Sequence, residues 1–417
     1  MLEYGVMRRP PLSEPADMLL ADVAIRIQLS PTDYGKAEQH YQALADWIDR
    51  PGSPLEGLVE LVYAQGSMAI GATIASRLTT DEFDADAIAQ LSLSPDVAPA
   101  TALDLLYESI RGEPGSRYYD KTERQSRCTT VCYPDMHVDL TPMVRLWHRS
   151  ERTGHLFHSK PEEARHFDRT LIANPYGFAE WFKAATPLDH DFAVAFSERA
   201  RGLEQVVAAE SEELPGQTHV SQKSKAVIVL QLLKRWRNVR YDQRQGRRPP
   251  SVLLAKLVAE AANKTGSLSE ELLHQAQAML AEFWRWHVHG SLIQVENPAC
   301  PNDDILTDRW PGTLAAQGQF IDDLEDLVVK TERLVAGCPL HEMREILADL
   351  FGEFPAQQAV AAFNDRTGAE IRQGHSQHGA GGRLVLPATG LFTSTGVASS
   401  HATPRHTFFG GNWRRRS

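Results

Sequence analysis

Two neighbouring stretches hold residues whose types and spacing could do chemistry together: Gln65-Gly66-Ser67-Met68-Ala69-Ile70-Gly71-Ala72-Thr73 and Asp81-Glu82-Phe83-Asp84-Ala85-Asp86-Ala87-Ile88. Side chains alternate faces along a strand, so Asp84 and Asp86 share one face while Phe83, Ala85 and Ala87 share the other. Asp139, in His137-Val138-Asp139-Leu140-Thr141-Pro142, is a third acid forced out of an otherwise apolar strand. Three carboxylates on adjacent strands repel one another unless cations sit between them, and oxygen-only ligands select Mg²⁺ or Mn²⁺. Two such ions roughly 3.5–4 Å apart can clamp the attacking and leaving oxygens of an in-line phosphoryl displacement. The Gly66-Ser67 turn, opening a helix, would cradle the phosphates, because glycine admits close backbone approach and free N–H groups point outward. Singly these signals are weak; their order and spacing make the combination strong.

The elements that must position these residues are legible in outline. Leu19, Leu20, Val23 and Ile27 recur at helical spacing, and Ser30-Pro31-Thr32-Asp33 starts a second helix with the stripe Ala37, Tyr41, Leu44, Ile48. Strands are predicted over 60–65, 82–91, 127–133 and 137–143, with helices over 68–76 and from Thr101. From about residue 170 the pattern is helical, with the stripes Ala226/Val229/Leu230/Leu233, Leu272/Ala276/Met279/Phe283 and Phe320/Leu324/Leu327/Thr331/Leu334, and Ser267-x-x-Glu270 as a capping box. The result is a two-lobed α/β protein with the site in the cleft between a mixed sheet and a helical lobe. After Phe363 the chain turns Gly-, Ser-, Thr- and His-rich, the composition of a mobile tail.

Composition narrows the classes further. Asp and Glu number 54 against 43 Lys and Arg, a formal charge of -11 on 417 residues, which argues against wrapping long nucleic acid. Four cysteines are too few to staple the chain, and no signal peptide or apolar run of about 20 residues is visible, which suggests a cytoplasmic protein with no membrane contact. Cys128 and Cys132, followed by His137, lack zinc-knuckle spacing and read as a core-facing pair. The arginines between Lys234 and Arg248 read as a solvated cationic helix end, and Phe283-Trp284-Arg285-Trp286 as core.

The segments QGSMAIGAT, DEFDADAI, HVDLTP, ANPYGFAEWF and LLKRWRN, the last followed by PPSVLLAKL, resemble the bacterial CD-NTases. These cyclic-oligonucleotide synthases are related to cyclic GMP-AMP synthase and oligoadenylate synthase within the polymerase-β-like nucleotidyltransferases. The resemblance spans roughly residues 15–365 and implies N-terminal helices packing across both lobes (1–56), a catalytic core (57–170), a helical lobe (171–365) and a flexible tail (366–417). It implies that Gly66 and Ser67 hold the donor triphosphate, that Asp84 and Asp86 ligate both Mg²⁺ ions, and that Asp139 ligates the ion activating the acceptor hydroxyl. Lys234 and Ser251 fall where the family's helical lobe reaches the β- and γ-phosphates. ATP and GTP are the implied substrates and a purine cyclic dinucleotide such as cyclic GMP-AMP the implied product, acting on a receptor effector in anti-phage (CBASS) signalling. A linear transferase acting on RNA ends or a small acceptor, and a silent nucleotide-binding module, remain as alternatives. The C-terminal end, with Phe408-Phe409-Gly410-Gly411 before Arg414-Arg415-Arg416, suits β-strand addition or capture in another enzyme's cleft, for which the resemblance implies an E1/E2-like ligase, or, alternatively, attraction to RNA or a membrane.

Overall fold

The computed structural model describes residues 10–29, 31–75, 83–134, 136–209, 223–263 and 266–373, with three two-residue strands beyond them, Gln377–His378, Leu384–Val385 and His401–Ala402. The chain begins with helices α1 (Pro15–Ile27) and α2 (Pro31–Ile48), then β1 (Val59–Ala64), the single turn α3 (Gly66–Ala69), β2 (Phe83–Leu91) and α4 (Pro99–Arg111). Strands β3 (Thr122–Arg124), β4 (Thr129–Cys132), β5 (Met136–Arg145), β6 (Gly154–His158) and β7 (Arg169–Ala173) complete the sheet. Helices α5 (Pro175–Ala185), α6 (His190–Ala209), α7 (Lys225–Tyr241), α8 (Ser251–Ala261), α9 (Leu268–His287), α10 (Leu314–Ala336), α11 (Leu340–Phe351) and α12 (Glu353–Gln373) follow.

The sheet runs β1-β2-β5-β4-β3, with β6 paired to β5 and β7 to β6. Only β2 and β5 pair in parallel, and they lie at its centre; the other named pairings in this sheet are antiparallel. Alternation then separates the two faces. Ala85, Ala87, Ala89, Val138 and Leu140 point to a face covered by α2 and α4, where Ala37, Leu44, Ile48, Leu106 and Ile110 are buried with them. Burying each such large side chain contributes about 1.5–3 kcal/mol. Two polar ties fix the cover: Tyr41 donates its hydroxyl to the Val62 carbonyl at 2.6 Å, and Trp47 its indole N–H to Ile110 at 2.8 Å. The opposite face of β2 and β5 carries the acids at one end and, further along, the buried Ile88 and Met143, which pack with Tyr63.

The second lobe is built around α7, buried from Lys225 to Arg237. Trp236, Phe283, Trp310 and Phe320 form its aromatic centre, with Phe320 4.9 Å from Phe283 and 5.1 Å from Trp310 between ring centroids. Helix α1 contributes Leu19, Leu20, Val23 and Ile27 to this core, whereas α2 packs on the sheet. The helix ends follow from sequence: Ser224 caps α7, Thr313 caps α10, Gly337 ends α10 in the left-handed conformation at φ 79°, and the Ser267–Glu270 capping box opens α9.

Several elements differ from the sequence expectations. The predicted helix over 68–76 stops at Ala69, because Gly71 takes φ 68° and Ile74 instead bridges Gln28. Strands β3, β6 and β7 carry too little apolar alternation to announce themselves. Helix α12 extends past Phe363 to Gln373, into residues with a mobile tail's composition. Of the arginines between Lys234 and Arg248, Arg247 and Arg248 are exposed, but those in and just after α7 are not a solvated end. Arg235 donates to the Phe351 carbonyl at 2.8 Å, Arg240 bridges Asp326 and Asp349, and Arg244 grips Asp323 with two bonds of 2.5 and 2.8 Å. Phe283 is core, while Trp284 is 40% exposed and donates to Glu325. Among the described residues, no helix is long and apolar enough to cross a membrane.

Candidate active site

The parallel register of β2 and β5 sets Asp86 opposite Asp139 and Asp84 opposite His137. Apolar neighbours buried on the far face, Ala85 and Ala87 in β2 and Val138 and Leu140 in β5, hold the intervening acids on the cleft face. Asp86 and Asp139 are half-buried. For Asp84 only the backbone is described, so its carboxylate lies outside the described side chains; among the described residues no three His, Cys, Asp or Glu groups form a metal cluster.

Asp139 is oriented from the next strand. Thr130, its register partner in β4, donates its hydroxyl to Asp139 Oδ1 at 2.5 Å. Cys128 faces the same acids: burial first, then the charges of Asp139 and Asp86, push its thiol well above the ordinary range. The expectation of a core-facing cysteine pair is therefore corrected, since Cys128 and Cys132 line a cavity of ≈ 570 Å³ with Thr130, His137 and Asp139. A strand running along the cleft rim exposes side chains to the cavity that apolarity alone assigns to the core.

The turn after β1 is pressed onto Asp86. Gln65 donates its backbone N–H to the Asp86 carbonyl at 2.9 Å, and Gly66 takes φ 58°, where a Cβ would stand 2.7 Å from Asp86 Oδ2. Only glycine satisfies both the left-handed backbone and the close approach. The Gln65 amide also donates to Thr141 Oγ1 at 3.3 Å, tying the turn to β5. Ser67 is half-buried, with its hydroxyl 3.4 Å from that of Thr73. Because α3 is only four residues long, a helix dipole adds little here, and any phosphate cradle rests on the backbone N–H groups of the turn.

Lys234 and Ser251 sit on the other lobe. Lys234 is 5% exposed and donates to the Ala72 carbonyl at 2.8 Å, beside Gln231, which donates to Thr73 at 2.9 Å. The helical lobe thus grips the segment that follows Gly66 and Ser67. Ser251, the first residue of α8, accepts a 3.0 Å bond from Arg237, whose guanidinium burial lowers to about 9, helped by the nearby Arg248. An adjoining cavity of ≈ 490 Å³ is lined by Tyr241, Arg247, Arg248, Pro250 and Arg309, and Arg309 lines the Asp139 cavity as well. The structure therefore brings Gly66 against Asp86, Asp86 beside Asp139, and Lys234 onto the intervening loop, and sets Ser251 at the start of α8, directly after the arginine-rich segment.

The lobes are joined by polar contacts. Arg127, before β4, donates to Asp308 at 2.6 Å. Asn174, 2% exposed, caps α5 through Gly177 N at 2.7 Å, donates to Thr153 Oγ1 at 2.9 Å, and accepts from Asn297 at 3.0 Å. Its backbone N–H meets Asp304, whose carboxyl burial raises above the usual range despite the Asn297 bond. A Cβ on Gly177 would lie 2.7 Å from that of Ala299. Sequence reasoning missed Gln65, Cys128, Thr130, Arg127 and Arg309. Only Gln65, adjoining the glycine turn, carried a local signal.

An all-oxygen pair of carboxylates on rigid neighbouring strands fits a hard divalent cation, and a Gly turn abutting one of them fits a phosphate chain bridging to it. Comparison with known proteins identifies the family. Residues 17–184 match the Second Messenger Oligonucleotide or Dinucleotide Synthetase domain. The cyclic dinucleotide synthase CdnG of Bradyrhizobium diazoefficiens is 36% identical over 407 residues, covering 96% of each chain. A c-di-GMP synthase of Roseivirga ehrenbergii is 24% identical over 398 residues, covering 94% of this chain and 96% of its own. The solved structure of the Bradyrhizobium CD-NTase CdnG in complex with GTP superimposes with a TM-score of 0.74, covering 85% of this chain and 100% of that one. The two-lobed architecture is accordingly the polymerase-β-like nucleotidyltransferase fold.

Replacing Gly66 by alanine should cost about 1–3 kcal/mol of stability through its positive φ. The added Cβ should also displace Asp86, lowering turnover about 100-fold or more while cooperative unfolding is retained. Pyrophosphate release and thermal melting check this, and parental turnover in Gly66→Ala would contradict the assigned role of the turn.

Proposed function

The chain belongs to the bacterial CD-NTase family of nucleotidyltransferases, and on that premise we propose that it makes a purine cyclic dinucleotide, such as cyclic GMP-AMP, from ATP and GTP. The observation that carries nucleotidyl transfer is the in-register pair Asp86 and Asp139 with the Gly66 turn closed onto Asp86, whereas ring closure is supported by the similarity to cyclic dinucleotide synthases. The GTP complex of the Bradyrhizobium relative supports guanosine triphosphate as one substrate.

In this reading the backbone N–H groups of Gly66 and Ser67 take the donor triphosphate. Lys234 steadies the loop behind them through Ala72 and, with Ser251, supplies the helical lobe's contribution to the β- and γ-phosphates. Arg247, Arg248 and Arg309 give the adjoining cavity the positive potential that draws polyphosphates in. Asp84, Asp86 and Asp139 would hold two Mg²⁺ ions, which when bound supply charge neutralisation at the α-phosphate and acidify the acceptor hydroxyl. Thr130 keeps Asp139 Oδ1 engaged, so that its remaining lone pairs face the cleft. The acceptor oxygen bonds to the α-phosphorus, the bond to pyrophosphate breaks, and a second such displacement within the linear product closes the ring. Such a product would signal to a separate receptor effector in anti-phage defence.

The purified protein incubated with labelled ATP, GTP and Mg²⁺ should yield a phosphatase-resistant product. That product should fall about 100–1,000-fold or more in Asp86→Asn. Pyrophosphate release with only phosphatase-sensitive products would make the enzyme a linear transferase, and near-parental turnover in Asp86→Asn would remove the pair from the mechanism.

A second part of the proposal concerns the C-terminal residues 404–417, which lie outside the described residues: their aromatic-Gly segment serves as a handle for an E1/E2-like ligase. Deleting them should abolish joining to other proteins by a cognate ligase without loss of nucleotide product. Undiminished conjugation of the truncated chain would refute it.

A further inference from the structure

Where α1 packs against α6 and α12, three guanidinium groups meet one carboxylate. Asp22 of α1 is fully buried, and Arg199 of α6 grips both its oxygens at 2.7 and 2.8 Å. Arg366 of α12 reaches the same carboxylate only at 3.4 Å. Arg26, one turn along α1, donates to the Asp22 backbone carbonyl at 2.9 Å. No other carboxylate among the described residues makes an ion pair with these three arginines. The local account is three permanent positive charges against one negative.

Packing alone does not call for that excess. One arginine saturates the aspartate in a fork-to-fork pair, and each further desolvated cation destabilises the fold. Burial and mutual repulsion lower the proton affinity of both Arg26 and Arg366. The cluster is also reachable, since the Arg366 side chain is 35% exposed where that of Arg199 is 12%. Two surplus planar donors beside a half-open edge match a tetrahedral dianion in both charge and hydrogen-bonding geometry.

We propose that Arg26, Arg366 and Arg199 form a binding site for a phosphate group, free or carried on a small molecule, outside the Asp86–Asp139 cleft. The site is connected to the cleft. Ile27, the last residue of α1, accepts the Ala75 N–H at 2.9 Å, and Gln28 bridges Ile74. That segment continues from Ala72 and Thr73, the carbonyls held by Lys234 and Gln231. Phosphate drawing α1 and α12 together would stiffen the donor turn, a regulatory consequence that rests on the function proposed above.

The test is thermal melting with inorganic phosphate against chloride at matched ionic strength, which needs no turnover and so stands or falls separately from the proposed reaction. At about 20 mM phosphate the protein should gain about 3 °C or more. Arg26→Gln and Arg366→Gln should lose that gain while melting no lower than the parent in chloride, because each removes a partly desolvated cation in excess of the single Asp22 charge. Arg366→Lys, which keeps the charge without the fork, covers the case in which Arg366→Gln fails to fold and should bind phosphate more weakly. Asp86→Asn should keep the full gain. A larger gain with glycerol 3-phosphate than with phosphate would identify an organic phosphate as the source, and an equal or smaller one free phosphate. Absence of any gain, its persistence in both glutamine variants, or its loss in Asp86→Asn would overturn the proposal.

Discussion

The structure depends on the parallel pairing of β2 with β5, which places one aspartate directly across from another. Like charges in register destabilise a sheet, by about 0.2–1 kcal/mol for an ordinary pair. Here the arrangement is enforced from behind, because sliding either strand by one residue would turn Ala85, Ala87, Val138 and Leu140 out of the α2–α4 core. The core therefore fixes the carboxylates, and what stands in front of them is adapted to their charge. Gly66 yields its side chain to Asp86, Thr130 donates to Asp139, and Cys128 stays a neutral thiol beside both.

The second lobe matters through the few places where it touches this arrangement. Lys234 and Gln231 reach from α7 to the carbonyls of Ala72 and Thr73, converting the end of a short turn into a fixed loop. On the opposite side, the irregular segment before α10 carries Asp304 to Asn174, Asp308 to Arg127, Arg309 into both cavities and Trp310 into the aromatic core. A helical lobe anchored at both ends of the cleft can set its width without contributing a carboxylate.

The parts of this that were legible in the sequence are those written in local periodicity. Alternation put Asp86 and Asp139 on exposed faces of apolar strands, a glycine marked the turn, and hydroxyl caps marked helix starts. What stayed illegible depends on non-local pairing. Nothing near Thr130 announces that it lies opposite Asp139, and a cysteine on a rim strand looks like a core residue until the cavity is seen. The arginines in and just after α7 looked solvated because their partners, Phe351, Asp323, Asp326 and Asp349, are all 79 or more residues away. Strands β6 and β7 were invisible for the same reason, since their polar residues become a sheet edge only when β6 pairs with β5 and β7 with β6.

The central claim is that the β2–β5 register creates a site for paired divalent cations, and counting bound Mn²⁺ by electron paramagnetic resonance, with a non-hydrolysable nucleoside triphosphate present, tests it most directly. The account predicts two ions per chain in the parent protein. It predicts at most one in Asp139→Asn and a loss of both tight sites in Asp86→Asn, each variant still folded. Two tightly bound ions persisting in Asp86→Asn would contradict it.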